Sequence, residues 1–164
     1  QPPAFEDASG GGITEADMWR LTASITANVD PIASNLERVD DATFSKIGTG
    51  LTNTSGVFSF ASTGLYAIEV HIQGQPTTND NVSLAIYGTS DDGSAWDALA
   101  TATYGADTDA VTSASTNTFF NCTNVSTHKI KFIAESIAAG SSIGGRTDDN
   151  ATSFQFIRLG DSQW

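Results

Sequence analysis

Cysteine is nearly absent. The 164-residue chain has one, Cys122, so no disulfide can form within it. Small secreted domains usually carry disulfides, so this absence fits folding in a reducing cytoplasm. Basic residues are scarce too: seven lysines and arginines face nineteen acidic residues, for a formal net charge of −12. The seven (Arg20, Arg38, Lys46, Lys129, Lys131, Arg146 and Arg158) are scattered and form no stripe. That speaks against a nucleic-acid partner, and an anionic membrane would repel the chain. No apolar run approaches the roughly 20 residues needed to span a bilayer. HExxH, GxSxG, CxxC and glycine-rich phosphate loops are all missing, which leaves no motif for hydrolysis or nucleotide chemistry. The acidic surplus has two readings, ordinary solubility or a salty setting in which the charges stay screened.

Serine, threonine, asparagine and glycine fill the space left. Hydrophobic residues make up 39% and charged residues 16%. Low charge with clear strand patterning points to a folded all-β chain rich in turns. Its length suits one domain, large enough to fold without a metal or disulfide. The most informative stretch is GVFSFASTGLYAIEVHI, residues 56–72. Val57, Phe58 and Phe60 form a short apolar strand that enters a corner at Ser62-Thr63-Gly64. Tyr66, Ile68, Val70 and Ile72 then alternate with Ala67, Glu69 and His71, the period of a half-buried strand. Glycine at the corner can take a positive φ at no steric cost.

Similar alternation predicts strands over 17–27, 44–47, 82–86, 96–104, 116–122, 129–133 and 152–159, with a short segment over 32–39. Asp30-Pro31, residues 48–50 and residues 52–56 read as turns. Residues 138–145 read as a Gly/Ser loop. The whole amounts to about ten short strands and no helix, the spacing of a sandwich or jelly roll. Residues 1–15, with Pro2, Pro3 and three consecutive glycines, read as a flexible arm ahead of a domain over 16–164. Phe5 is the residue by which that arm would dock on a neighbour. Cys122 reads as a small buried residue. Gln1 in place of Met implies a processed start or one lying further upstream.

Candidate chemistry is sparse. Glu69 and His71 share a polar strand face, as an acid/base pair would, but His128 sits in a distant hairpin and nothing converges on them. Residues 90–96 (SDDGSAW) are similar to the sialidase Asp-box, yet the spacing fails. A hairpin turn is the better reading, with Asp91 or Asp92 capping it, Gly93 left-handed and Trp96 packed on the next strand. Asp80, Asp91, Asp92, Asp107, Asp109, Asp148 and Asp149 fall in loops. Hard oxygen ligands of this kind bind calcium, but no EF-hand spacing occurs, and solvated carboxylates are the default. Five Asn-x-Ser/Thr sequons, at Asn53, Asn81, Asn121, Asn124 and Asn150, would matter in a eukaryotic secretory pathway.

The hairpin Gly56-Val57-Phe58-Ser59-Phe60 to Gly64-Leu65-Tyr66 resembles the globular head of complement-type and tumour-necrosis-factor-like proteins. Strands like Val82-Ser83-Leu84 and Ser153-Phe154-Gln155-Phe156-Ile157 follow in the same order. The resemblance implies a trimeric ten-stranded jelly roll without enzymatic activity. The segments TEADMWRLT, PIASNLERVD, IGTGLT and FIRLGD are similar to single-domain structural proteins of tailed, often marine, bacteriophages. That resemblance implies a virion protein assembled in the host cytoplasm, a capsid decoration (cement) protein or short head fibre. Its partners would be two further copies of itself and the major capsid protein. Under it, Tyr66, Ile68, Phe154 and Phe156 line the trimer axis or the core. The alternative is a receptor- or glycan-binding tip of a tail fibre, with Asp80, Asp92 and Asp148 gathered at one end toward a host glycan. A secreted lectin-like module is a third reading.

Overall fold

A computed structural model describes residues 12–77, 80–106 and 110–164. Among them are eleven strands and no helix. They are β1 (Ala16–Leu21), β2 (Leu36–Arg38), β3 (Thr52–Thr54), β4 (Val57–Ser59), β5 (Gly64–Gln75), β6 (Asp80–Thr89), β7 (Asp97–Ala106), β8 (Thr112–Cys122), β9 (Lys129–Glu135), β10 (Ser142–Ile143) and β11 (Ser153–Gly160). All pairings are antiparallel. One sheet runs β8-β5-β11-β1-β2, with β10 pairing the end of β5 beyond β11. The other runs β3-β4-β9-β6-β7.

The alternation in β5 sets the layers. Tyr66, Ile68, Val70 and Ile72 face the second sheet and are at most 1% exposed. Phe58, Phe132, Phe154 and Phe156 meet them in an aromatic cluster, with ring centroids 4.4 to 6.0 Å apart. Burying each such ring stabilises the fold by roughly 1.5–3 kcal/mol. Phe60 lies against Tyr66 at 4.5 Å and stacks on Phe120 at 5.4 Å, which closes one end. Cys122 is fully buried, and burial pushes its thiol up to about 11.

Several expected boundaries move. The first strand stops at Leu21 instead of running to residue 27, because the chain bends there and the Thr22 amide donates to the Asn35 carbonyl. Ile25 rejoins the sheet through a single bridge to Ile143. Residues 44–47 make no strand. A turn, with the Phe44 amide on the Asp41 carbonyl, leaves one bridge, Ile47 to Ala16. Within 52–56, Thr52–Thr54 pairs with β4 around Ser55 and Gly56, both at positive φ (50° and 85°). Two such residues make the tight turn whose twist suits a hairpin. The Gly/Ser loop over 138–145 contains β10.

Gly64 is needed for a different reason from the expected one. Its φ is ordinary, but a Cβ there would lie 2.5 Å from Arg158 Nε and 2.8 Å from the Gly160 carbonyl oxygen. The corner is a close approach of two strands, not a left-handed turn. Phe5 and most of the arm lie outside the described residues. Thr14 and Glu15, counted with the arm, are held to the domain: Thr14 accepts from Arg158, and Glu15 accepts from the Thr49 and Gly50 amides.

Candidate functional site

The outer face of the six-stranded sheet is the surface that stands apart. Strand alternation places Leu65, Ala67, Glu69, His71 and Gln73 of β5 outward. Register sets Ser153, Gln155 and Ile157 of β11 beside them on one side. On the other side lie Ser113, Ser115, Asn117, Phe119 and Asn121 of β8. Among these outward positions only Glu69 and His71 ionise. His71 Nδ1 lies 3.0 Å from Ser115 Oγ across the strand pair. The face is polar in the middle and apolar at the end where Ile157, Ala67 and Phe119 form one row. Phe119 is 68% exposed and Leu159, beside that row, 52%. The neighbouring chain end is pinned there by Asn121, which accepts from the Gln163 amide at 2.7 Å and donates to its carbonyl.

A slot of about 180 Å³ opens at the other edge of the same face, lined by Ala16, Met18, Phe44, Ser45, Gln155 and Ile157, with Asp17 at its margin. Asp17 offers the slot no free charge. Its carboxylate accepts from Arg38, the Trp19 indole and the Met18 and Leu51 amides. Arg20, near the same edge, is buried with Glu37, Asp40 and Asp41 at 2.6 to 2.9 Å. Hydrogen bonding to Glu37 holds its guanidinium pKa above the usual value.

The outer face of the five-stranded sheet is charged by contrast. Lys129 pairs with Asp92, and Lys131 with Asp30. Lys131 also lies 4.8 Å from the Trp96 ring centre. A groove of about 460 Å³ runs here between Val57, Ser59, Asp92, Trp96 and Lys129. The turn beside it matches its sequence reading: Gly93 has φ +88°, and Asp91 accepts from the Ala95 amide and Thr89 hydroxyl. Those bonds hold the Asp91 carboxyl below its ordinary pKa.

The other candidates separate. Tyr66, Ile68, Phe154 and Phe156 all sit in the core of the single chain, and none reaches an outer face. Asp80 and Asp92 lie at or beyond opposite ends of the ten-residue strand β6, so the three aspartates do not gather at one end. Asp80 is bound by the Ser141 hydroxyl, which lowers its pKa. Asp148 is exposed in the β10–β11 loop, while Asp107 and Asp109 lie outside the described residues. Among the described residues no group of three or more His, Cys, Asp or Glu side chains could hold a metal ion. Glu69 and His71 do share a face, but His128 bonds Thr123 and Thr127 in the β8–β9 turn.

Sequence reasoning missed both the Asp17–Arg38 centre and the slot. The only signal for the first was an acidic residue in an apolar strand.

Solved structures place this architecture. Murine APRIL, in its crystal at pH 5.0, matches with a TM-score of 0.66 at 13% identity, over 88% of this chain and 98% of that one. Eiger TNF from S. frugiperda matches with 0.69 at 14%, over 93% and 97%. The globular domain of zebrafish complement 1qA matches with 0.60 at 11%, over 90% and 99%. The chain is therefore an all-β jelly-roll sandwich of the tumour-necrosis-factor-like type. No family model matches the sequence, and no curated protein does.

Proposed function

We propose that the chain is a non-enzymatic assembly module that works as a homotrimer through the outer face of its six-stranded sheet. The observation that carries this is charge depletion. A chain of net charge −12 places only Glu69 and His71 among ionisable side chains on the outward positions of β8, β5 and β11. It keeps the Arg20, Glu37, Asp40 and Asp41 cluster of the same sheet toward its β2 edge, and leaves Phe119 and Leu159 exposed. Interface cores are poor in charge and rich in aromatics, and exposed apolar patches mark contact sites. The fold shared with tumour-necrosis-factor-like structures supports the same reading. The setting we propose is the virion of a tailed bacteriophage, as capsid decoration protein or short head fibre bound to the major capsid protein. The segments around Trp19, Leu36 and Arg158 support that setting by their resemblance to phage structural proteins.

Oxidative footprinting tests the face. Met18 and Phe119 become protected as concentration rises, while Tyr87 and Trp96 on the opposite sheet do not. Protection of the opposite sheet instead would overturn the assignment. Quantitative mass spectrometry of purified source virions tests the setting. A copy number near that of the shell protein supports decoration, a few copies supports a fibre, and absence refutes both. A second reading, a glycan-binding tip, is favoured by the groove where Trp96 meets Asp92, Lys129 and the Ser59 hydroxyl. Glycan-array binding lost in Trp96→Ala would support it.

A further inference from the structure

We infer that neighbouring copies join by a knob and a slot: Phe119 of one copy enters the slot beneath Phe44 of the next. The contact rests on the self-association proposed above and names where it forms. Register puts both parts on one row. Ala16 pairs with Ile157, Ile157 with Ala67, and Ala67 with Phe119. The row thus begins at the slot and ends at the knob, three inter-strand steps or about 14 Å away. Within one molecule they cannot meet. Ala67 stands between them and is too small to cover the exposed ring of Phe119.

The slot fits this occupant. Its 180 Å³ is well under the roughly 300–1,000 Å³ of small-molecule sites, so it suits one large side chain. Ala16, Met18, Phe44 and Ile157 offer it apolar walls, and the one carboxylate at its margin is already paired with Arg38. Knob and slot are different patches, so each copy gives its knob to one neighbour and its slot to the other. A head-to-tail contact of this kind leaves open ends unless rotation closes it into a ring. Three copies closed about an axis fill every slot and bury every Phe119.

Phe119→Asp, the milder Phe119→Ser, and Ser45→Trp, which blocks the slot from its rim, test the contact. Both positions point to solvent, and an unchanged urea midpoint of the dilute chain checks the fold. Masses are read by light scattering. The wild type is expected at three times the chain mass, and all three variants at the monomer mass. Mixing Phe119→Asp with Ser45→Trp pairs the intact knob of one with the intact slot of the other, and a 1:1 dimer is expected. If the wild type is monomeric, the assembly reading itself fails. A trimeric wild type whose Phe119 variants stay trimeric overturns the knob alone. Variants that turn monomeric but do not pair on mixing overturn the slot as its partner.

Discussion

The Asp17 carboxylate accepts five hydrogen bonds, two of them from Arg38, and its side chain is fully buried. It ties β1 to β2 and to the Leu51 amide, where the chain turns toward β3. A truncation would leave a guanidinium, an indole N–H and two amides without their acceptor. Buried groups orphaned in this way cost free energy. Asp17→Ala should therefore lose about 3 kcal/mol of stability in urea unfolding. A loss under about 1 kcal/mol would show that water replaces the carboxylate. Nothing in sequence spacing announces this pair. It exists because register sets Trp19 opposite Arg38, which the sequence alone does not specify. Cys122 was legible as a buried residue from its apolar strand. Its raised pKa predicts no alkylation of the native protein at neutral pH and rapid alkylation once it is denatured. Rapid native labelling would contradict its burial.

Long alternating segments such as β5 and β11 were readable because burial on one face imposes period two over many residues. β6 was readable from its alternation of Val82, Leu84 and Ile86 with small Ser83 and Ala85, although both its faces are buried. Short elements were not. β3 and β10 have three and two residues, too few for any period, and both depend on partners supplied by the rest of the fold. The overlong first strand erred the other way. Ile25 keeps the apolar alternation but rejoins by a single bridge after a bend. β10 is tied to the second sheet by the Tyr104 hydroxyl, which donates to the Ser142 carbonyl. Burial raises that phenol from the ordinary 10 to about 12. The unfolded chain therefore ionises first. Stability contributed by the neutral phenol is full below pH 10 and is lost as pH rises toward about 12. Tyr104→Phe should cost about 1 kcal/mol at pH 7 and flatten the alkaline fall in stability. An unchanged alkaline profile would refute the assignment.

The balance of charge belongs to the molecule as a whole. Six of its seven basic side chains are in ion pairs, so the acidic surplus is spread over a surface with little free positive charge. In the proposed assembly copies repel one another at long range, and the charge-poor β8, β5 and β11 part of the six-stranded sheet is where they would meet. The screening length falls from about 30 Å at 0.01 M salt to about 10 Å at 0.1 M. Association should thus strengthen with salt, on the order of tenfold over that range, and weakening would point to ion-paired contacts instead. Composition and net charge were legible from the start, as was the resemblance that implied a jelly roll. Which face was spared charge was not, because it depends on how β8, β5 and β11 line up. The loop aspartates fell apart for the same reason: nearness in type says nothing about which end of a strand a loop occupies. The most direct measurement is the mass of the wild-type chain in solution by sedimentation equilibrium at moderate salt. Assembly through this face predicts three times the 17.1 kDa of one chain, and a species that stays at 17.1 kDa at every concentration would contradict it.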